Sequence, residues 1–153
     1  MIENVSGAFH KKISFQRYGL IVLTVGIKSF NKKERKYINL YSKDKTLLFV
    51  AKNETGGNLI FENISVMKNY NNYLNQTNHI PFNEKTFTLF NEKKIKVLEK
   101  NYVVKNKILI KDIIFNHKDN VLLYQIQVHK TSNTVRYNFD RYIEQIFEGI
   151  NLE

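Results

Sequence analysis

The sequence predicts a mainly β domain of the α+β class, an antiparallel β-meander curled into a partly open barrel or sandwich and closed by a C-terminal amphipathic helix. Three observations carry this expectation. From Lys85 to Lys130 the chain runs through β-branched and aromatic stretches of four to eight residues, broken by clusters of Asn, Lys, Glu and Asp, the mark of successive antiparallel strands. Near the end Phe139, Tyr142 or Ile143, Ile146, Phe147 and Ile150 fall on one stripe at helical spacing, which predicts a helix over 139–152. The chain has 153 residues and no cysteine, enough to bury a core as one domain (1–153) without disulfides or thiolate metal sites.

Taken in order, residues 1–12 lack periodicity and read as a loosely held arm. Ile13 to Gln16 is a short strand, and Tyr18 to Phe30 is the first long one, apolar enough at 19–27 to be buried on both faces. That apolar run is far below the roughly 20 residues that span a bilayer. With no cleavage signal around it, a cytoplasmic chain with no membrane span is expected. The polar segment 31–36 turns the chain. Tyr37 to Tyr41 alternates as a half-buried strand, and after a turn at 42–45 Thr46 to Ala51 returns.

Gly56 and Gly57 mark the next turn, because glycine accepts positive φ without a Cβ clash. A strand at 58–62 follows. Ile64, Met67, Tyr70 and Leu74 recur at helical spacing with Asn63 or Ser65 as caps, so a short irregular helix is expected there, weakened by Asn69, Asn71, Asn72 and Asn75. Gln76 to Asn83, with the sole proline at 81, crosses the surface to the meander. In the C-terminal helix, Asn138 is the expected cap and Asp140 suits the positive end of the dipole.

Composition narrows function less sharply. Asn occurs 20 times, Lys 20 and Ile 17, all with codons rich in A and T, so an AT-rich genome explains much of the lysine count. It does not explain the excess of base over acid. The net charge is +10, and it is uneven. Residues 1–52 hold 11 Lys or Arg against 3 acids, whereas residues 136–153 hold 2 against 4. A surface of that sign favours anionic partners, either nucleic acid or an acidic protein surface.

Catalytic patterns are weak. His10, His79, His117 and His129 do not share a face at ligand spacing, so no metal or cofactor is expected. Glu92-Lys93-Lys94 has the Glu-x-Lys form of a metal-dependent nuclease and would need Glu84 or Asp112 as its acidic partner, but its position between Phe90 and Ile95 reads as a solvated turn. His129 follows Gln125 and Gln127 on the alternating polar face of a strand and reads as a surface histidine. A metal-independent ribonuclease built on it is a third expectation, with no pair of residues singled out.

The remaining feature is a basic hairpin with aromatics. Lys28, Lys32, Lys33, Arg35 and Lys36 are flanked by Phe30, Tyr37 and Tyr41, with Lys43 and Lys45 at the next turn. Crowded cations suit phosphates, and flat rings suit unpaired bases. The sequence therefore predicts a non-enzymatic nucleic-acid-binding protein that uses these ten residues. The alternative is a protein-interaction module, an inhibitor or adaptor of the kind a phage or plasmid encodes, that docks on a nucleic-acid enzyme through a strand edge such as 37–41.

Overall fold

A computed structural model describes residues 2–3, 11–24, 45–55, 58–89, 92–104, 108–130 and 150–152. They form two antiparallel sheets. β1 (Ile2–Glu3), β2 (Lys11–Phe15), β3 (Leu20–Thr24) and β10 (Ile150–Leu152) make a four-stranded sheet in the order β1-β2-β3-β10. β4 (Lys45–Thr55), β5 (Asn58–Met67), β6 (Asn83–Thr88), β7 (Lys94–Val104), β8 (Ile108–His117) and β9 (Asn120–Lys130) make a six-stranded sheet in the order β4-β5-β9-β8-β7-β6. Neither sheet closes on itself. One α-helix, α1 (Tyr70–Gln76), stands among the described residues and links β5 to β6.

The meander expected from Lys85 onward is present, with longer strands than its apolar runs suggest. Polar residues inside them, such as Glu99 to Asn101 and Lys111-Asp112, continue the ladders rather than breaking them. β4 shifts register between Leu47 and Phe49. Such a bulge re-aims side chains, and here Leu47 is exposed whereas Phe49 is buried in the core.

The two sheets share one apolar core. Leu20, Val22, Ile150 and Leu152 of the small sheet cluster with Ile60, Ile64, Ile113, Leu122, Tyr124 and Ile126 of the large one. Each such aliphatic side chain contributes about 1.5–3 kcal/mol by leaving water. The opposite face of the large sheet receives α1, where Tyr73 packs with Met67, Ile114 and Leu123. Both faces are therefore covered.

Two expectations are corrected. The chain end does not carry a helix through residue 152, because Ile150 to Leu152 pair with Leu20 to Val22 as strand β10. Ile150 and Leu152 lie two apart, so a strand buries both on one face, and they are 1% and 4% exposed. The rest of the expected helix, 139–149, lies outside the described residues. Ile64 and Met67 belong to β5, not to a helix. Three residues apart in a strand, they point to opposite faces, and with both faces buried two apolar sites at helical spacing result. The helix starts later and is capped by Asn69, whose side chain accepts from the Asn72 N–H at 3.0 Å.

Candidate functional site

The most unusual feature of the described structure is a row of polar side chains inside the large sheet. On the face that receives α1, the register sets Asn63 opposite Gln125, Gln125 opposite Asp112 and Asp112 opposite Lys100. Directly opposite residues in antiparallel strands share a face with Cβ atoms about 5 Å apart, so four adjacent strands contribute one rung. Asn63, Gln125 and Asp112 are fully buried, and Lys100 is 1% exposed. The great majority of buried polar groups are hydrogen-bonded.

Asp112 is the hub. One carboxylate oxygen, Oδ2, accepts from the hydroxyls of Tyr73 on α1 and Tyr102 on β7, each at 2.7 Å. The other, Oδ1, accepts from Gln125 Nε2 at 2.8 Å. Gln125 Oε1 in turn accepts from Gln127 Nε2 at 2.8 Å and from Asn63 Nδ2 at 3.4 Å. Burial pushes the Asp112 carboxyl above its ordinary range, while Tyr102, Tyr73, Gln125 and the Lys45 ammonium pull it down without cancelling that rise.

Two lysines belong to the same region. Lys45, the first residue of β4, is 5% exposed. Burial lowers it to about 8, and the Asp112 charge opposes that shift. Lys100 Nζ donates to Thr77 at both its carbonyl oxygen and its Oγ1, each at 2.7 Å, and stands 4.0 Å from the centre of the Phe82 ring. Burial lowers its pKa too, with Asp112 opposing. The Lys100 ammonium thus ties the turn after α1 to β7 and helps hold the helix over the sheet.

A second buried charge cluster lies on the other face. Glu99 pairs with Lys85 at 3.1 Å and with Lys111 at 3.2 Å, and accepts from Asn101 Nδ2 at 2.9 Å. Burial pushes Glu99 up, but Asn101, Lys85 and Lys111 together hold it below the ordinary range. Glu62, also on this face, accepts from the Tyr124 hydroxyl at 2.7 Å.

No family model, curated protein or solved structure matches this chain. The site must therefore be interpreted from its own chemistry. Among the described residues no three His, Asp or Glu side chains gather as metal ligands, and no helix is long and apolar enough to cross a membrane.

The expected contact residues fare unevenly. Lys28, Phe30, Lys32, Lys33, Arg35, Lys36, Tyr37, Tyr41 and Lys43 lie outside the described residues, as does the strand edge 37–41. Lys45 is described, and it faces the buried row rather than solvent, because β4 begins at it and pairs it with Met67. It is withdrawn from the contact set.

The nuclease pattern does not assemble. Glu92 sits in the exposed turn between β6 and β7. Asp112 lies opposite Lys100, six residues along β7 from Lys94, and Glu84 lies opposite Leu98, four residues along it, so at about 3.3 Å per strand residue the two acids are about 20 Å and about 13 Å from that turn. His129 is not the surface residue expected. It is half-buried with its ring edge-on to Phe61 at 4.7 Å, and burial lowers its pKa to about 4.

Sequence reasoning missed Asp112, Lys100, Tyr73 and Gln125. One signal was available: Lys111-Asp112 interrupts the apolar run between Ile108 and Phe115, with no Gly, Pro or Asn beside Asp112 to make a turn of it.

Proposed function

We propose that this chain is a non-enzymatic nucleic-acid-binding protein that contacts phosphates through Lys28, Lys32, Lys33, Arg35, Lys36 and Lys43, with Phe30, Tyr37 and Tyr41 as rings that stack on bases. One observation supports it above the others, and it concerns where the charge is not. Among the described residues, the acidic and basic side chains found buried are the carboxylates Glu62, Glu99 and Asp112 and the lysines Lys45, Lys100 and Lys111. Three acids meet three bases, so this interior is balanced and the surplus of +10 falls on the remaining residues. A small protein with such a surplus draws polyanions and holds them in a salt-dependent way. The polar row also argues for structure over catalysis: Asp112 spends both oxygens on internal donors.

The test is a fluorescence-anisotropy titration of short single- and double-stranded DNA and RNA at two salt concentrations. The wild type is run beside a variant with Lys32, Lys33, Arg35 and Lys36 changed to Ser. The reading expects binding that weakens with salt and falls in the variant. Absence of binding by the wild type at low salt refutes it and turns attention to an acidic protein partner.

A further inference from the structure

A further group of cations is brought together by strand register and by the packing of two turns. β4, β5 and β9 meet at one end of the large sheet, where Lys45 pairs with Met67 and Val66 with Leu122. β8 ends and β9 begins there, through a turn at Lys118 and Asp119. Leu98 pairs with Ile114, and continuing that ladder by four residues brings Lys94 level with Lys118. Lys68, just beyond β5, therefore shares this end with Lys94, Lys96 and Lys118, and all four are exposed.

A fifth cation is delivered by the small sheet. The turn between β2 and β3 (Gln16 to Gly19) abuts the β8–β9 turn so closely that a Cβ on Gly19 would lie 2.8 Å from Lys118 Cε and 2.9 Å from His117 Nε2. Exposed Arg17 stands in that turn. Among the described residues the acids near this end are Glu92, Asp119 and Glu84, of which Glu84 stands two residues from Thr86, the partner of Lys96, so five cations still outweigh them.

From these placements we infer that the turn end of the large sheet, through Arg17, Lys68, Lys94, Lys96 and Lys118, is a phosphate-contact surface for single-stranded nucleic acid. The inference rests on the nucleic-acid reading above and adds a location to it. Dimensions favour it. From β5 to β7 is three strand spacings, about 14 Å, the length over which one nucleic-acid strand in helical geometry carries about four phosphates. Neighbouring chemistry favours nucleic acid over an acidic protein. The exposed amides Asn71 and Asn75 stand on α1, which packs over this end through Met67, Ile114 and Leu123, and amides of that kind hydrogen-bond base edges. A protein partner would instead reward a joined apolar patch. The large exposed apolar side chains of the described residues, Leu47, Phe82 and Val103, stand on β4, before β6 and near the far end of β7, well apart.

The experiment titrates a fluorescein-labelled 20-nucleotide dT strand across 50 to 200 mM salt against three proteins. These are the wild type, a variant with Lys68, Lys94, Lys96 and Lys118 changed to Gln, and one with the same four changed to Arg. Loss of four single-strand phosphate contacts makes the log–log salt slope shallower by about 2.8, so the wild type loses about 50-fold more affinity over that range than the Gln variant. The Arg variant is expected to follow the wild type. A Gln variant that keeps the wild-type slope overturns this inference alone and leaves the reading of residues 28–43 standing. A wild type that does not bind at 50 mM overturns both. An Arg variant that loses binding as the Gln variant does shows that charge is not the cause. Displacement of dT by poly-glutamate as effectively as by unlabelled dT, at matched charge, overturns the assignment to nucleic acid.

Discussion

Removing the hub of the buried row, Asp112→Ala, withdraws the acceptor from three donors at once. Tyr73 and Gln125 are fully buried, so their O–H and N–H lose a charged partner with no water to replace it. Each hydrogen bond to a charged group is worth about 1.5–3 kcal/mol, and an orphaned buried donor costs about 1–3 kcal/mol. Tyr102 is only half-buried, and its hydroxyl can rehydrate. The Lys45 ammonium also loses the charge that opposes its burial, a loss of the kind that costs about 3–5 kcal/mol when a buried pair is broken. These contributions overlap, so Asp112→Ala is expected to cost about 3–6 kcal/mol, a large part of the roughly 5–15 kcal/mol that holds a domain folded. Asp112→Asn keeps the volume and one acceptor oxygen and should cost less, about 1–3 kcal/mol. Tyr73→Phe should fall near 2 kcal/mol and Tyr102→Phe near 1 kcal/mol. Urea denaturation of all four variants beside the wild type gives these differences directly. A cost below about 1 kcal/mol for Asp112→Ala, or a larger cost for Tyr102→Phe than for Tyr73→Phe, would refute the argument.

Three further outcomes follow from the same geometry. Lys45 titrates near 8 when folded against its ordinary 10.5, so between those values the unfolded chain binds more protons. Stability is then expected to rise with pH across that window by up to about 3 kcal/mol, and Lys45→Met should flatten the rise in urea midpoints measured from pH 7.5 to 10.5. His129 is lowered to about 4, so its contribution is present above pH 6.5 and lost as pH falls towards 4. About 1–2 kcal/mol of acid sensitivity should disappear in His129→Gln, read from thermal midpoints over that range. Gly19 has φ +61, and a Cβ placed on it would fall within 3 Å of side-chain atoms of His117 and Lys118, so Gly19→Ala should cost about 1–3 kcal/mol. A Gly19→Ala protein with an unchanged thermal midpoint would show that the two turns do not meet as described.

The meander was legible because alternation at Leu122, Tyr124, Ile126 and Val128 has only one reading, a strand with that face in the core. What escaped was the other face. Gln125, Gln127 and His129 alternate with those residues and look like a solvated side, yet Gln125 and Gln127 are fully buried and joined to each other. A polar face whose side chains bond one another, along the strand and across it, has the same period as one that faces water, and periodicity cannot separate them. Lys45 illustrates the same ambiguity. In sequence it belongs with Lys43 as a turn cation, and only the pairing of β4 with β5 turns it inward. The turn-end cations Arg17, Lys68, Lys94, Lys96 and Lys118 were invisible as a group for a different reason: they come from four separate places in the chain, and strand register and the packing of two turns bring them to one end. The Asn-rich segment after Met67 misled in position rather than in kind, since a helix does form there once Asn69 caps it.

The proposed target of this protein's surplus charge is the phosphate backbone of a nucleic acid. The salt dependence of wild-type binding to a single-stranded 20-mer tests it most directly. Measurable affinity at 50 mM salt and a log–log slope of about −3 or steeper are expected, as four or more single-strand phosphate contacts require. No binding at 50 mM, or binding whose slope is near zero, would contradict it.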